Sequence, residues 1–251
     1  MVDINMAFRD ISDVYDRFNN AEAYMDWFGL MFQLLPQGTQ RFLDLGCGTG
    51  LLTQMLAALA DEAVGIDVDS GMIDKALKAE TVENLHFEQM DMTTLTFADE
   101  SFTLLTAFLD TLCFLPNLAS IKQTLAEAYR VLKPGGLFVF DVWQPEQMTD
   151  VFDGFNYSDV DEKGALLWHS FCTSEEEPYQ VEHYLTVFDE RESGFYERLE
   201  TTLTERTYEL ETYRQALMQV GFAEANIQLL DEAAWEQYPE FAGRFVFIVE
   251  K

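Results

Sequence analysis

The 251-residue chain is short of positive charge: 15 Lys and Arg stand against 45 Asp and Glu, a formal net charge of −30. Between Arg41 and Lys122 the only basic side chains are Lys75 and Lys78. Such a polyanion repels phosphate backbones, which disfavours general nucleic-acid binding. Cysteine is scarce as well. Cys47, Cys113 and Cys172 are odd in number, widely spaced and free of any CxxC pair, which excludes a disulfide framework and suits a reducing compartment. No apolar run approaches the roughly 18–20 residues that span a bilayer. The acidic start MVDINMAFRDISDVYDRF lacks the cationic, then apolar, order of a secretory signal. The expectation is a soluble, cytoplasmic protein with no membrane partner. Internal repeats and low-complexity linkers are also missing.

What is present points to a packed globule. Hydrophobic residues make up 48% of the chain and are spread along its length, which argues against disorder. Phe8, Ile11, Val14, Tyr15 and Phe18 recur at helical spacing, and a second helix runs from Ala21 to Leu35, before Pro36 and Gly38. The run Arg41–Leu45 is too brief for a helix and reads as a strand. A glycine-rich turn, a helix from Leu51 and a second strand at Ala63–Asp67 follow, which makes a βαβ unit. Leu85–Gln89, Phe102–Phe108 and Leu137–Val142 continue the rhythm, with a helix over Ile121–Leu132 before Lys133-Pro134-Gly135-Gly136. Strands alternating with helices predict a parallel sheet covered on both faces. Between residues 152 and 206 the pattern changes to three strands, Leu166–Thr173, Val181–Phe188 and Tyr196–Thr204. Turns at Glu175–Pro178 and Asp189–Gly194 would join them. The tail returns to a helix, Leu210–Val220, and strands at Ala225–Leu230 and Arg244–Glu250.

The predicted fold is thus α/β, a doubly wound, Rossmann-like, mostly parallel seven-stranded sheet with a small antiparallel insertion after the fifth strand. One domain spans 1–251: an N-terminal helical lid (1–38), a cofactor-binding core (39–150), the insertion (151–206) and a C-terminal helix with the last strands (207–251).

The first turn reads Asp44-Leu45-Gly46-Cys47-Gly48-Thr49-Gly50. Its glycines permit a tight turn and close approach of backbone to a ligand, and the following helix directs free N–H groups at the same place. Leu51 occupies the last position of a dinucleotide G-x-G-x-x-G, so that fingerprint fails at one glycine, and no lysine completes a P-loop. Asp67 ends the second strand, where a carboxylate can accept hydrogen bonds from a ribose diol. Asp91 follows the third strand at the same edge. Asp67-Val68-Asp69 begins like a calcium loop, but Gly71 falls at the wrong offset and the remaining ligands are missing, so no metal is expected.

DLGCGTG, GIDVDSGMIDKA, EQMDM, SFTLLTAFLDTL and LKPGG, in this order over roughly residues 40–142, resemble the motifs of class I S-adenosylmethionine-dependent methyltransferases, in particular the bacterial small-molecule branch. The resemblance implies S-adenosyl-L-methionine as cofactor and S-adenosyl-L-homocysteine as product. It implies that Gly46, Gly48 and Gly50, with the Cys47 and Thr49 backbone, line the methionine end, and that Asp44 faces the ammonium group. Asp67 would hold the ribose hydroxyls, with Val68 and Met72 against the adenine. Asp91 would accept from the adenine amino group near Met92, Phe108 would lie beside the sulfonium, and Tyr15 would close over the cofactor as a lid.

A methylsulfonium is already activated, so the protein must chiefly align the partners and exclude water. Asp110, just after the fourth strand, is placed to orient an acceptor, or else to cap the following turn. In the insertion, alternation sets Val181, His183, Leu185 and Val187 on one face. His183 is then either a hydrogen-bonded core residue or a group serving the acceptor. Residues 141–200 hold 16 acidic and three basic residues, which favours a neutral or amine-bearing small molecule over an anion. A non-catalytic S-adenosylmethionine-binding protein and a nicotinamide-dependent oxidoreductase are the alternatives. Monomer and homodimer are both compatible with the sequence.

Overall fold

The structure, a computed structural model, describes residues 17, 21–35, 40–79, 82–173, 179–191, 194–230, 236 and 238–251. Tyr15, most of the predicted first helix and the Glu175–Pro178 turn lie outside them. Helix α1 spans Ala21–Leu34 and precedes strand β1 (Arg41–Leu45). Helix α2 (Leu51–Ala57), β2 (Glu62–Asp67), α3 (Ser70–Ala79), β3 (Leu85–Gln89) and β4 (Phe102–Ala107) follow. Next come α4 (Leu118–Val131) and the long β5 (Leu132–Trp143). The chain closes with α5 (Leu210–Val220) and, in the same sheet, strands Ile227–Leu229 (β10) and Arg244–Glu250 (β11).

These strands form one seven-stranded sheet in the order β10-β11-β5-β4-β1-β2-β3. β1 is parallel to β2 and β4, and β5 is parallel to β4, while β11 runs antiparallel to β5 and β10 antiparallel to β11. The chain winds outward from β1 to β3 and then returns to β4 on the other side of β1. That reversal leaves a crevice above the carboxyl ends of β1 and β4, the place where doubly wound sheets bind ligands.

Alternation along the strands divides the core in two. Leu43, Ile66, Leu105 and Phe140 face α4 and α5, where Leu125, Ala128, Ala216 and Leu217 are fully buried. Phe42, Ala63, Leu104 and Val139 face the opposite layer with Trp27 and Met31 of α1 and Leu56 of α2. Each large apolar side chain so buried contributes about 1.5–3 kcal/mol. Asn117 starts α4 by accepting the Ser120 amide at 3.0 Å, a side-chain cap.

The insertion is a separate antiparallel sheet of four strands, Phe155–Val160 (β6), Gly164–Cys172 (β7), Gln180–Glu190 (β8) and Tyr196–Arg206 (β9), paired in that order. Three of them coincide with the strands expected. The fourth, β6, was not expected: only Phe155 and Asp159 are half-buried, so its sequence carries no clear alternation. Among the described residues it is an edge strand paired with β7 alone. A turn of π-helix, Gln147–Phe152, leads into it, and Met148 and Phe152 bury themselves against Val181 of β8. At the far end Arg17 bridges Asp161 and Asp189, tying the chain near the N-terminus to this sheet. Among the described residues no helix is long and apolar enough to cross a membrane.

Candidate active site

The crevice above β1 and β4 opens into a cleft of about 910 Å³, its open mouth included. Its wall contains Asp44, Gly46, Cys47, Gly48, Thr49, Asp67, Val68, Met72, Met92 and Phe108, which brings together most of the residues singled out in the sequence. Tyr24, Leu51, Leu52, Asp69, Leu109, Thr111 and Phe114 complete it.

The turn after β1 explains its own composition. Gly46, Gly48 and Gly50 all have positive φ, at 72°, 55° and 81°. A Cβ on Gly46 would stand 2.4 Å from Thr111 Cγ2, and one on Gly50 would stand 2.4 Å from Phe87 Cζ. Gly48 is different: a Cβ there would meet nothing within 4 Å. Two glycines therefore serve close packing, and the middle one leaves open space beside the cleft. Gly50 is the start of α2 and lies outside the cleft wall. Asp91 also lies outside it. Its Oδ1 accepts from the Thr93 amide and hydroxyl, both at 2.8 Å, and so closes an exposed turn.

Asp44 is nearly inaccessible, in the middle of the sheet between Gly65 and Thr106. Its two oxygens accept from Thr53 Oγ1 at 2.5 Å and Thr106 Oγ1 at 2.6 Å. Burial pushes its carboxyl up to about 6, against the pull of those hydrogen bonds. Asp67, the last residue of β2, accepts from the Gly48 amide at 2.9 Å and the Asp69 amide at 2.8 Å, and burial raises it too. Each of its oxygens keeps lone pairs for further donors. Asp69 was a missed residue. Its Oδ1 caps α3 by accepting from the Gly71 and Met72 amides at 2.7 and 3.1 Å, while Oδ2 is buried without a partner among the described residues. An Asp just ahead of a helical stretch is the signal that could have found it. Burial, with Asp67 and Asp44 nearby, holds the Cys47 thiol far above its ordinary value, which disfavours the thiolate.

The far wall is built after β4. Phe108 stacks on Trp27 with ring centroids 4.4 Å apart. Leu109 and Asp110 then take positive φ, 59° and 55°, a conformation costing about 1–3 kcal/mol per residue that surrounding contacts must offset. The Asp110 side chain makes no cap to the following turn. Instead its Oδ1 accepts from Arg244 Nη1 at 2.8 Å, and its amide donates to Asp141 Oδ2 at 3.0 Å. Arg244 also pairs with Asp141 and lies over the Trp143 ring, 3.5 Å from its centroid. Nothing in the local sequence announces this cluster, since Arg244 is more than a hundred residues from Asp110 and Asp141, save that Asp141 interrupts an apolar strand.

His183 is separate from the cleft. Only 1% exposed, it packs edge-on against Phe152 and Trp168. Its Nδ1 faces Ser170 Oγ at 2.7 Å and accepts from Trp168 Nε1 at 3.1 Å, which puts the proton of the neutral ring on Nε2. That Nε2 is 3.4 Å from Glu205 Oε1 without a hydrogen bond. Burial depresses His183 to about 4, so its ring is neutral near pH 7, and burial raises Glu205 well above its ordinary value. The surroundings match the core reading of His183 rather than the acceptor-serving one.

The "Methyltransferase domain" family profile matches residues 43–140, the segment that builds this cleft. The chain is 33% identical over 254 residues to a protein of Geobacillus sp. (strain WCH70), covering 98% of this chain and all of that one. It is 31% identical to YqeM of Bacillus subtilis (strain 168), covering 86% and 87% of the two chains. Both carry the name putative methyltransferase. The chain belongs to the class I S-adenosylmethionine-dependent methyltransferases. The fold agrees: the S-adenosylmethionine-bound amino pentose methyltransferase CalS10 of Micromonospora echinaspora superposes with a TM-score of 0.70 at 21% identity, over 93% of this chain and 92% of that one. Membership in this family sets aside the nicotinamide-dependent reading, as the missing third glycine of the dinucleotide fingerprint already suggested.

The cleft suits the methyltransferase cofactor. A buried carboxylate at Asp44 is matched to an ammonium, Asp67 retains acceptor capacity for a diol, and Val68, Met72 and Met92 offer apolar surface to a base. The opening beside Gly48 leaves backbone free to approach the ligand.

Proposed function

We propose that this methyltransferase acts on a small molecule that is neutral or carries an amine, and that Asp110 holds the acceptor. The observation that carries this reading is the unequal use of one carboxylate. Oδ1 of Asp110 is held by Arg244, while Oδ2 takes no hydrogen bond among the described residues. Asp110 itself is not in the cleft wall, but its neighbours Leu109 and Thr111 are, which sets its carboxylate beside the cleft. A free carboxylate oxygen there suits an acceptor N–H or O–H and would turn the acceptor's lone pair toward the methyl group.

The bound cofactor supplies a methyl group already activated by its sulfonium. On this reading Asp44 holds the ammonium of the methionine end, and Asp67 holds the ribose hydroxyls beside the Gly46–Thr49 backbone. Val68, Met72 and Met92 flank the adenine, and Phe108, stiffened by Trp27, borders the reacting centre. Asp91 keeps Oδ2 for the adenine amino group, and Tyr15 acts as a lid. The insertion, with Phe155, Tyr157 and Trp168 grouped on one face, serves as the roof that excludes water. The charge of residues 141–200 favours amines over anions, and CalS10, alike in fold, acts on an amino pentose.

Incubation with labelled methyl donor and a panel of small amines, alcohols and carboxylates tests the reading. Label is expected in amine or neutral acceptors, and Asp110→Asn is expected to lower turnover about 100-fold. Label only in carboxylates, or full turnover by the Asp110→Asn variant, would contradict it.

A further inference from the structure

The turn after β4 is strained at two successive residues, and its carboxylate is held from two strands away. Arg244 starts β11, opposite Trp143 on β5, and reaches past β5 to Asp110 beyond the end of β4. Asp141, wholly buried on β5, binds both the Arg244 guanidinium and the Asp110 amide. Arg244 is itself 7% exposed, flat against Trp143, and its Nε donates to the Glu240 carbonyl at 3.1 Å. A planar fork stacked on one face and bonded along its edge has little freedom, so it fixes whatever it holds. What it holds is the residue between Leu109 and Thr111, two cleft residues, and Thr111 is also the neighbour that a Cβ on Gly46 would strike.

We infer that Arg244 is a positioning residue for the cofactor cleft: with Asp141 it clamps Asp110 and so keeps the left-handed Leu109–Asp110 turn in the shape that forms the cleft's far wall. The inference rests on the reading of this cleft as the cofactor site. Leu109 and Asp110 pay for a backbone conformation that side chains avoid, and the clamp is what holds them there. Glycine adopts that conformation freely. With glycine at 110, which removes the carboxylate and eases the backbone, Arg244 therefore loses its leverage on the cleft.

The test is a double-mutant cycle read by calorimetric titration with S-adenosylhomocysteine. Arg244→Met is expected to weaken binding about 10-fold in the native background and less than 2-fold in the Asp110→Gly background. Hydrogen exchange over residues 108–113 supplies a readout without ligand: Arg244→Met should speed it at least 10-fold, while exchange in β1 and β2 stays unchanged. A merely structural arginine would give equal losses in both backgrounds and uniform acceleration across the sheet, and either result overturns the inference. Should Arg244→Met fail to fold, Arg244→Lys enters the same cycle, with a loss of about 3-fold expected in the native background and none beside Asp110→Gly. Failure of the native protein to bind the homocysteine product would refute the cofactor-site reading instead, and the exchange pattern would still decide the clamp.

Discussion

Replacing Asp44 by Asn should make the empty protein more stable and the same protein a poorer binder. The carboxyl is buried and its value rises from 3.8 to about 6. A group raised on folding binds more protons in the folded chain between those two values, so the stability it contributes is lost as pH rises through that window. Two pH units correspond to about 3 kcal/mol, which is what ionised Asp44 withholds from the empty protein above pH 6. Asn keeps the shape without the charge. Thr53 and Thr106 donate to Asp44 in the native chain. A hydroxyl can equally accept, so one of them can turn to receive the new amide. The expected gain at pH 7.5 is up to about 3 kcal/mol, on the order of 5–10 °C in melting temperature for a chain of this size. Binding moves the other way. The ligand's ammonium loses its buried counter-charge, and an uncompensated charge costs about 3–5 kcal/mol, so S-adenosylhomocysteine should bind at least about 100-fold more weakly. Scanning calorimetry and titration calorimetry in one buffer read both effects. A variant that is less stable at pH 7.5, or that binds the product as tightly as the native chain, would refute the assignment.

Three further outcomes are expected. Asp67→Ala should weaken S-adenosylhomocysteine binding by about 1.5–3 kcal/mol, the worth of hydrogen bonds to a charged group, and an unchanged dissociation constant would show that the carboxylate does not hold the ribose. Gly50→Ala meets both a φ of 81° and the Phe87 ring, so denaturant titration should show a loss of about 2–4 kcal/mol. A loss under 1 kcal/mol would contradict the packing described. His183 sits at about 4 rather than 6.5, so the folded chain binds fewer protons there and stability is lost as pH falls from 6.5 towards 4. His183→Gln should remove about 2 kcal/mol of the drop between pH 6.5 and 5, seen as a flatter pH dependence of melting, and an unaltered slope would oppose the buried neutral ring.

Features set by neighbouring residues were legible in the sequence, and features set by distant ones were not. The glycine turn, Asp67 at its strand end and helix Leu210–Val220 depend on short-range patterns, and each lies where the pattern put it. The edge strand Phe155–Val160 escaped because pairing on one side alone leaves its side chains largely exposed, with no alternation to read. Gly50 and Asp91 share a motif with cleft residues, yet one turns its missing side chain to Phe87 and the other folds back on Thr93. Arg244 stands at the head of an ordinary apolar strand and gains its meaning only from Asp110 and Asp141, 134 and 103 residues away. His183 was open to two readings because a histidine among valines looks the same whether it serves a core or a cleft. The Ser170, Trp168 and Glu205 contacts across two strands favour the core reading.

The central claim is that the cleft between Gly46, Asp67 and Phe108 is built for S-adenosylmethionine. Calorimetric titration of the purified protein with S-adenosylhomocysteine, with NADH as the control, tests it most directly. The account predicts saturable binding of the homocysteine product at one site per chain and no heat of binding for NADH. Binding of NADH with no response to S-adenosylhomocysteine would contradict it.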